Sequence, residues 1–382
     1  MNKRKQWHQY LVTAAFVMLG VLFGVIMVSY AENTAKEGTT LADELWTLAL
    51  LFVGMYISIF LQTIIHEAGH LAFGLLTGYR FTSFRVGSLM LLRQEGKLVL
   101  RWMHIAGTGG QCLMAPPEMV DGKMPYVLYH LGGSILNLAA SLLFFLLFLL
   151  VPDGSVLDVL LLVMTLMGIA LALINGIPMD LGTVDNDGRN ALSLGKDPQA
   201  LKAFWIQMKA NEMTAAGVRI KDMPEAWFEP LSDGGLHNSM TAGLAVFACS
   251  RLMDAHRFTE AEEKIRHLLG SQSAIAGIHR DLLVCDLMYC EMIHCNRREI
   301  VEDMLTKQQK KFMRSMHSFL SVIRTEYVYA LQVERDQKEA DRIRNLFEKR
   351  AGTYPYTADI ESERELMDIA HRRSMGEMNV EV

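Results

Sequence analysis

Uncharged apolar runs separated by short polar stretches fill the first half of the chain, and mixed-charge segments of helical period fill the second. Residues 11–29, "LVTAAFVMLGVLFGVIMVS", carry no charge and are long enough to cross the hydrocarbon core of a bilayer as a helix. Residues 45–65, "LWTLALLFVGMYISIFLQTII", do the same, and their apolar character continues to Leu76. Residues 126–151 and 156–174 make a third and a fourth run, after which no stretch of comparable length follows about Arg189. Between the second and third runs, residues 81–92 and 98–105 are joined by "RQEGK" and read as a β-hairpin.

From Asp197 onward the period is helical. Three segments, "FACSRLMDAHRFTEAEEKIRHLL", "LMYCEMIHCNRREIVEDML" and "YVYALQVERDQKEADRIRNLF", look like repeats. Aligning their turns makes Ala261, Ile300 and Ala340 equivalent, which predicts a short tetratricopeptide-like solenoid. A generic helical bundle is the competing reading. The expected fold is thus an α-helical polytopic membrane protein with four transmembrane helices, a cytoplasmic β-hairpin and a soluble all-α, solenoid-like domain. The expected domains are residues 1–40 (a transmembrane helix and an external loop), 41–192 (the membrane core) and 193–382 (the cytosolic helices).

Charge refines this picture. A net charge of −5 over 382 residues gives no electrostatic footprint for nucleic acid. Lys3, Arg4 and Lys5 precede the first run, and Arg80, Arg85, Arg93, Lys97, Arg101 and Lys123 follow the second. The loop of residues 31–44 holds only Lys36. By the positive-inside rule both basic segments are cytoplasmic, and four spans return the C-terminus to the cytosol. The competing reading of residues 1–31 is a cleaved signal peptide ending in "SYA", although its apolar region is long for that role. The five cysteines have no metal-binding spacing and read as reduced thiols.

The chemistry lies in "QTIIHEAGHLAFGLL", residues 62–76. On a helix, His66 and His70 stand about 40° apart, one turn apart, and both reach a single metal ion. Glu67 is placed to take a proton from water, and zinc lowers the pKa of a water it holds to about 7. Three ionisable residues in five positions of a membrane span are costly, and such residues are usually functional. A catalytic zinc needs a third protein ligand. "NGIPMDLGTVDNDGRN", residues 175–190, ends the fourth run on the same side and offers Asp180, Asp185 and Asp187.

In these features the chain resembles the site-2 protease family of intramembrane zinc metallopeptidases over roughly residues 44–192. The resemblance rests on "HEAGH", the glycine-rich "GTGGQCLMAPPE", "GGSILN" and "NGIP…DG", in that order. It implies one zinc held by His66, His70 and Asp187, with Glu67 as catalytic base. It also implies that Asn137 and Asn175 line the cleft and hold substrate. Gly188, by freeing the backbone after Asp187, favours that aspartate over Asp185. The stretch from Pro178 to Asp187 is longer than in many members, and no inserted PDZ-like domain is visible.

The expected activity is that of a zinc metalloendopeptidase of the cell membrane. Its substrate would be a membrane-embedded segment of a regulator or signalling-peptide precursor, with a cytosolic protein as partner of the C-terminal helices. Such a site lies in the membrane because its substrate does. The hairpin edge could pair with an unwound substrate strand. The alternative is a catalytically inactive scaffold that recruits partners through its helices. A zinc transporter would need ligands spread along a path.

Overall fold

The computed structural model describes residues 40–376, except 95, 106–107, 154, 180–184, 230–235, 237 and 272, together with parts of 14–32. The chain forms two compact units, one of Met1–Gly78 and Pro125–Lys196, the other of Tyr79–Met124 and Asp197–Val382.

In the first unit, three helices are long and apolar enough to cross a membrane: α2 (Leu41–Leu76), α3 (Val127–Phe148) and α4 (Val156–Gly176). The first predicted span is described in part, with helix α1 (Gly20–Ser29) as its continuous stretch, so a fourth membrane-crossing helix is not shown among the described residues. Thr40 starts α2 through a capping box with Asp43. Ser155 starts α4 by accepting from the Asp158 amide. Helices α2 and α3 bury mainly small and polar residues and leave large apolar ones outside, the reverse of a water-soluble helix, whereas α4 buries Leu161, Leu162 and Leu166. Gly54, Ser58, Gln62, His66 and His70 of α2 face inward, while Leu48, Phe52, Leu142 and Phe145 are exposed. Without a hydrophobic drive between helices in lipid, small residues and internal hydrogen bonds hold such a bundle. After α4 the short helix α5 (Asp187–Ser193) follows.

The second unit contains a four-stranded antiparallel sheet of order β3-β2-β1-β4, with β1 Arg80–Val86, β2 Leu89–Gln94, β3 Lys97–Trp102 and β4 Gly110–Ala115. This corrects the predicted hairpin. Its first arm folds back at Gly87 (φ +59°), so that Val86 pairs with Leu89. The turn is Gly87-Ser88, a two-residue hairpin signal that the reading of 81–92 as one strand passed over. Arg85, buried, holds the corner by donating to the Gly87 carbonyl and the Thr108 hydroxyl, both at 2.7 Å. The glycine-rich segment supplies β4, which pairs with β1.

The sheet belongs with the helices of its own unit. Met90 and Met103 share a core with Met288, Ile323 and Leu366. Trp205, on α6 (Pro198–Ala215), donates to the Pro117 carbonyl at 2.9 Å. Residues 79–124 therefore pack with the C-terminal helices, although the sequence groups them with the spans.

Each of the three repeat-like segments folds as helix–turn–helix. The pairs are α7 (Ser239–Asp254) with α8 (Phe258–Gly270), α9 (Gly277–His294) with α10 (Arg298–Met304), and α12 (Leu320–Val328) with α13 (Gln337–Ala351). A helix α11 (Lys307–Ser315) precedes the third pair, whose first helix continues as a π-turn over Tyr329–Glu334, and α14 (Thr357–Ser374) follows it. Every turn contains a non-glycine residue in the left-handed region: His256 (φ 57°), Asn296 (φ 50°) and Arg335 (φ 56°). These positions fix the register. The fully buried residue three past each second-helix start is Ala261, Val301 or Ala340. Val301, not Ile300, is thus the middle equivalent, and the predicted alignment was one residue off there.

Arg335 is exposed and bears left-handed strain, whereas the Asn296 side chain donates to the Gln332 carbonyl at 3.0 Å. Arg335→Gly should therefore stabilise the protein by about 0.5–1 kcal/mol, the strain relief less glycine's added chain entropy. Asn296→Gly should destabilise it. Thermal melts of the two variants in one detergent check the opposite signs.

Candidate metal centre

His66, Glu67 and His70 lie on α2 and are all buried. Space for the imidazoles comes from glycines on the facing helix. A Cβ on Gly133 would stand 2.5 Å from the His66 ring, and one on Gly69 would stand 2.3 Å from the Gly132 carbonyl oxygen. The backbones of α2 and α3 therefore meet without side chains between them.

The ring orientations are fixed by their Nδ1 atoms. His66 Nδ1 lies 2.8 Å from Asn137 Oδ1, and His70 Nδ1 lies 2.7 Å from the Tyr129 carbonyl oxygen. Both partners only accept, so each Nδ1 carries the hydrogen and each neutral ring presents a bare Nε2. Asn137 is itself held by donating Nδ2 to the Gln62 carbonyl at 2.9 Å and to Gln62 Oε1 at 2.7 Å. Gln62 in turn donates Nε2 to the Met164 carbonyl of α4 at 2.8 Å. A chain of amides thus runs from α4 to His66.

The third group arrives through Asn186. Its Oδ1 accepts from the Met179 and Arg189 amides at 3.1 and 3.0 Å, capping α5. Its Nδ2 donates to the Ile174 and Ile177 carbonyls at 2.8 and 2.6 Å, folding the chain back onto the end of α4. Asp187 then opens α5. Gly188 has helical backbone, and its role is close approach: a Cβ there would lie 2.1 Å from the Gly176 carbonyl oxygen. The expected reason for this glycine, an unusual backbone conformation, is replaced by a steric one.

The two Nε2 atoms lie 3.1 Å apart, and Asp187 Oδ2 lies 3.1 Å from that of His66 and 3.3 Å from that of His70. Three lone-pair-bearing atoms at such spacing repel one another unless a proton or a metal ion sits among them. Ligands held about 2.0–2.1 Å from a tetrahedral ion are spaced about 3.3 Å apart, so the residues present suit a divalent metal. His66, His70 and Asp187 are also the group of three whose donor atoms lie within 4.8 Å of one another among the described residues.

Other predicted residues fall elsewhere. Asp185 pairs with Arg189 at 2.7 Å. Asn175 donates to the Leu171 carbonyl at 3.0 Å, one turn back on its own helix, and is not brought to the histidines. Asp180 lies outside the described residues. His104 belongs to the second unit, where its Nδ1 lies 3.3 Å from the Ser88 hydroxyl.

Sequence reasoning missed His130, whose Nδ1 stands 4.0 Å from Asp187 Oδ1, and also missed Gln62 and Asn186. His130 carried a readable signal, since it is ionisable, lies in a span and precedes Asn137 by two helical turns. Asn186 and the Tyr129 carbonyl carried none.

No family model, curated protein or solved structure matches the chain, so its function is argued from this geometry.

Asp187→Asn should lower metal affinity by well over the roughly 10–100-fold that loss of an outer partner costs, whereas Asp185→Asn should leave it nearly unchanged. Gly133→Ala should lower it as well, because a methyl group displaces the His66 ring. Metal content of the purified variants after dialysis against graded chelator checks all three.

Proposed function

We propose that the protein is an intramembrane zinc metalloendopeptidase of the site-2 protease kind, cutting within the membrane-embedded segment of a single-span protein or peptide precursor. The observation that carries this reading is the convergence of His66 Nε2, His70 Nε2 and Asp187 Oδ2 within 3.3 Å of one another. That cluster lies in a unit of helices apolar enough to cross a bilayer. Ionisable groups are expensive there unless they serve a function.

His66, His70 and Asp187 would hold the zinc, which supplies Lewis acidity that polarises water and the scissile carbonyl. Glu67, buried and next to His66 in sequence, takes the proton of the attacking water and passes it to the departing amine. Asn137 has a different role from the one its motif implies. Its Oδ1 accepts from His66 and its Nδ2 is committed to Gln62, so it positions the imidazole and does not bind substrate. His130 faces the second oxygen of Asp187 and orients that carboxylate. Asn175, turned onto its own helix, has no assigned contact with substrate.

The basic residues flanking the spans place the C-terminal unit in the cytosol, with the chain crossing the cell membrane several times. Cys295 is the exposed thiol among the five. A membrane-impermeant maleimide should label it in permeabilised cells and not in intact ones. Labelling of intact cells would reverse the topology.

Glu67→Gln should retain zinc and fold while lowering turnover by about two to four powers of ten, the usual contribution of a general base. Comparing membrane fractions of wild-type and Glu67→Gln cells should reveal single-span proteins that persist uncut in the variant. Release of the metal by this substitution would instead make Glu67 a ligand, and the absence of any accumulating protein would count against the protease reading.

A further inference from the structure

The second unit contains a cavity of about 310 Å³, and its wall holds an imbalance of charge. Four carboxylates line it, from Asp254, Asp286, Asp359 and Glu363, against one guanidinium, that of Arg324. Two of the acids are compensated within the fold. Asp254 accepts from Arg219 Nε at 3.0 Å and from the Lys221 amide at 3.1 Å. Asp286 accepts from Arg324 Nη2 at 2.7 Å.

The other two have less: Glu363 shares Arg324 with Asp286, and Asp359 has no cation of its own. Asp359 and Glu363 stand one turn apart on α14 and both face the cavity. Among the described residues the Asp359 carboxyl has no ion pair or hydrogen bond to a cation, and the carboxylates of Asp254 and Glu363 both act on it. Glu363 lies 3.4 Å from Arg324 Nε, and its Oε2 has no hydrogen-bond donor. Burial pushes both carboxyls up to about 7, and neighbouring carboxylates add to the effect. Keeping such a pair costs the fold stability without structural return, a pattern that marks binding sites.

A second group is also unsatisfied. The Arg324 side chain is fully buried and stacks over the Tyr289 ring at 4.7 Å, yet its Nη1 has no hydrogen-bond acceptor. A buried donor left without an acceptor costs about 1–3 kcal/mol. The missing partners are therefore of two kinds: a cation for the carboxylate pair and a hydrogen-bond acceptor for Arg324.

We propose that this cavity binds a basic side chain of a peptide, whose guanidinium or ammonium group meets Asp359 and Glu363 while a main-chain carbonyl meets Arg324. A metal ion is less suited, because among the described residues the cavity acids do not form a group of three donors within 4.8 Å. A polyamine supplies cations without a carbonyl acceptor. The volume lies at the small end for ligand sites and admits one or two residues, not a folded partner. Tyr354 and Tyr356, with ring centroids 6.2 Å apart, wall the same cavity and offer aromatic surface to a cation. The inference is independent of the protease reading, since none of these residues belongs to the unit that carries His66, His70 and Asp187.

The test is calorimetric titration of the full chain in detergent with acetyl-Ala-Arg-Ala-amide. The controls are the same peptide with neutral citrulline for arginine, and spermidine. The arginine peptide should bind saturably, at least about tenfold tighter than the citrulline peptide and tighter than spermidine, one factor of ten being about 1.4 kcal/mol. Asp359→Asn and Glu363→Gln should each weaken it by about tenfold or more, and Asp359→Asn should also raise thermal stability at pH 8, because it removes a charge that no cation of the fold meets. Absence of saturable binding, or equal binding of arginine and citrulline peptides, would overturn the site. Tighter binding of spermidine than of the peptide would overturn the peptide assignment. The wild-type comparison needs no variant and stands even if a substitution fails to fold.

Discussion

Imidazoles buried inside a bundle must have their hydrogen bonds arranged in advance, and the first unit is organised around that constraint. Asn137 and the Tyr129 carbonyl supply acceptors for the two Nδ1 atoms, leaving both Nε2 atoms bare and aimed at one point. Each acceptor has its own requirement. Asn137 can offer its oxygen only because Gln62 and its carbonyl engage the amide nitrogen. The Tyr129 carbonyl, within α3, can serve His70 as well because a carbonyl oxygen has two lone pairs. Polar content in this unit is thus a connected set, not a scatter of tolerated exceptions.

That connectedness explains what could be read from the sequence. The helical spacing of His66 and His70 and the apolar length of the spans depend on local periods, which survive in a one-dimensional string. Asp187 was reachable because a topology argument brought the end of the last span to the histidines' side. Gln62 acts through partners 75 and 102 positions away and Asn186 through one 12 positions away, while His130 meets Asp187 from another helix, and no short window displays such pairs. The same distinction holds in the second unit. Helix–turn–helix segments were legible, but the middle repeat slipped by one residue because Ile300 and Val301 are both apolar and only their burial tells them apart. The sheet was read only in half, although Gly87-Ser88 between two strand-like runs did announce a reversal of chain direction.

The two units spend their polar residues differently. In the first, the polar groups around the histidines face one another. The second matches most of its ions, as in the pairs of Arg219 with Asp254 and Arg297 with Glu291, and one cavity wall carries both a buried donor and a buried acceptor without partners, Arg324 Nη1 and Glu363 Oε2. A buried charge short of partners is among the costlier features of a fold.

The contact of Gly69 with Gly132 has a mechanical consequence. Where two helices touch backbone to backbone, their separation is set by carbonyl and α-carbon radii, which neither rotamer changes nor lipid composition can alter. That crossing acts as a fulcrum. Either end of α2 or α3 can splay as the surrounding bilayer thickens or thins, while the lever arm to His66, three residues from the pivot, stays too short for the motion to be felt.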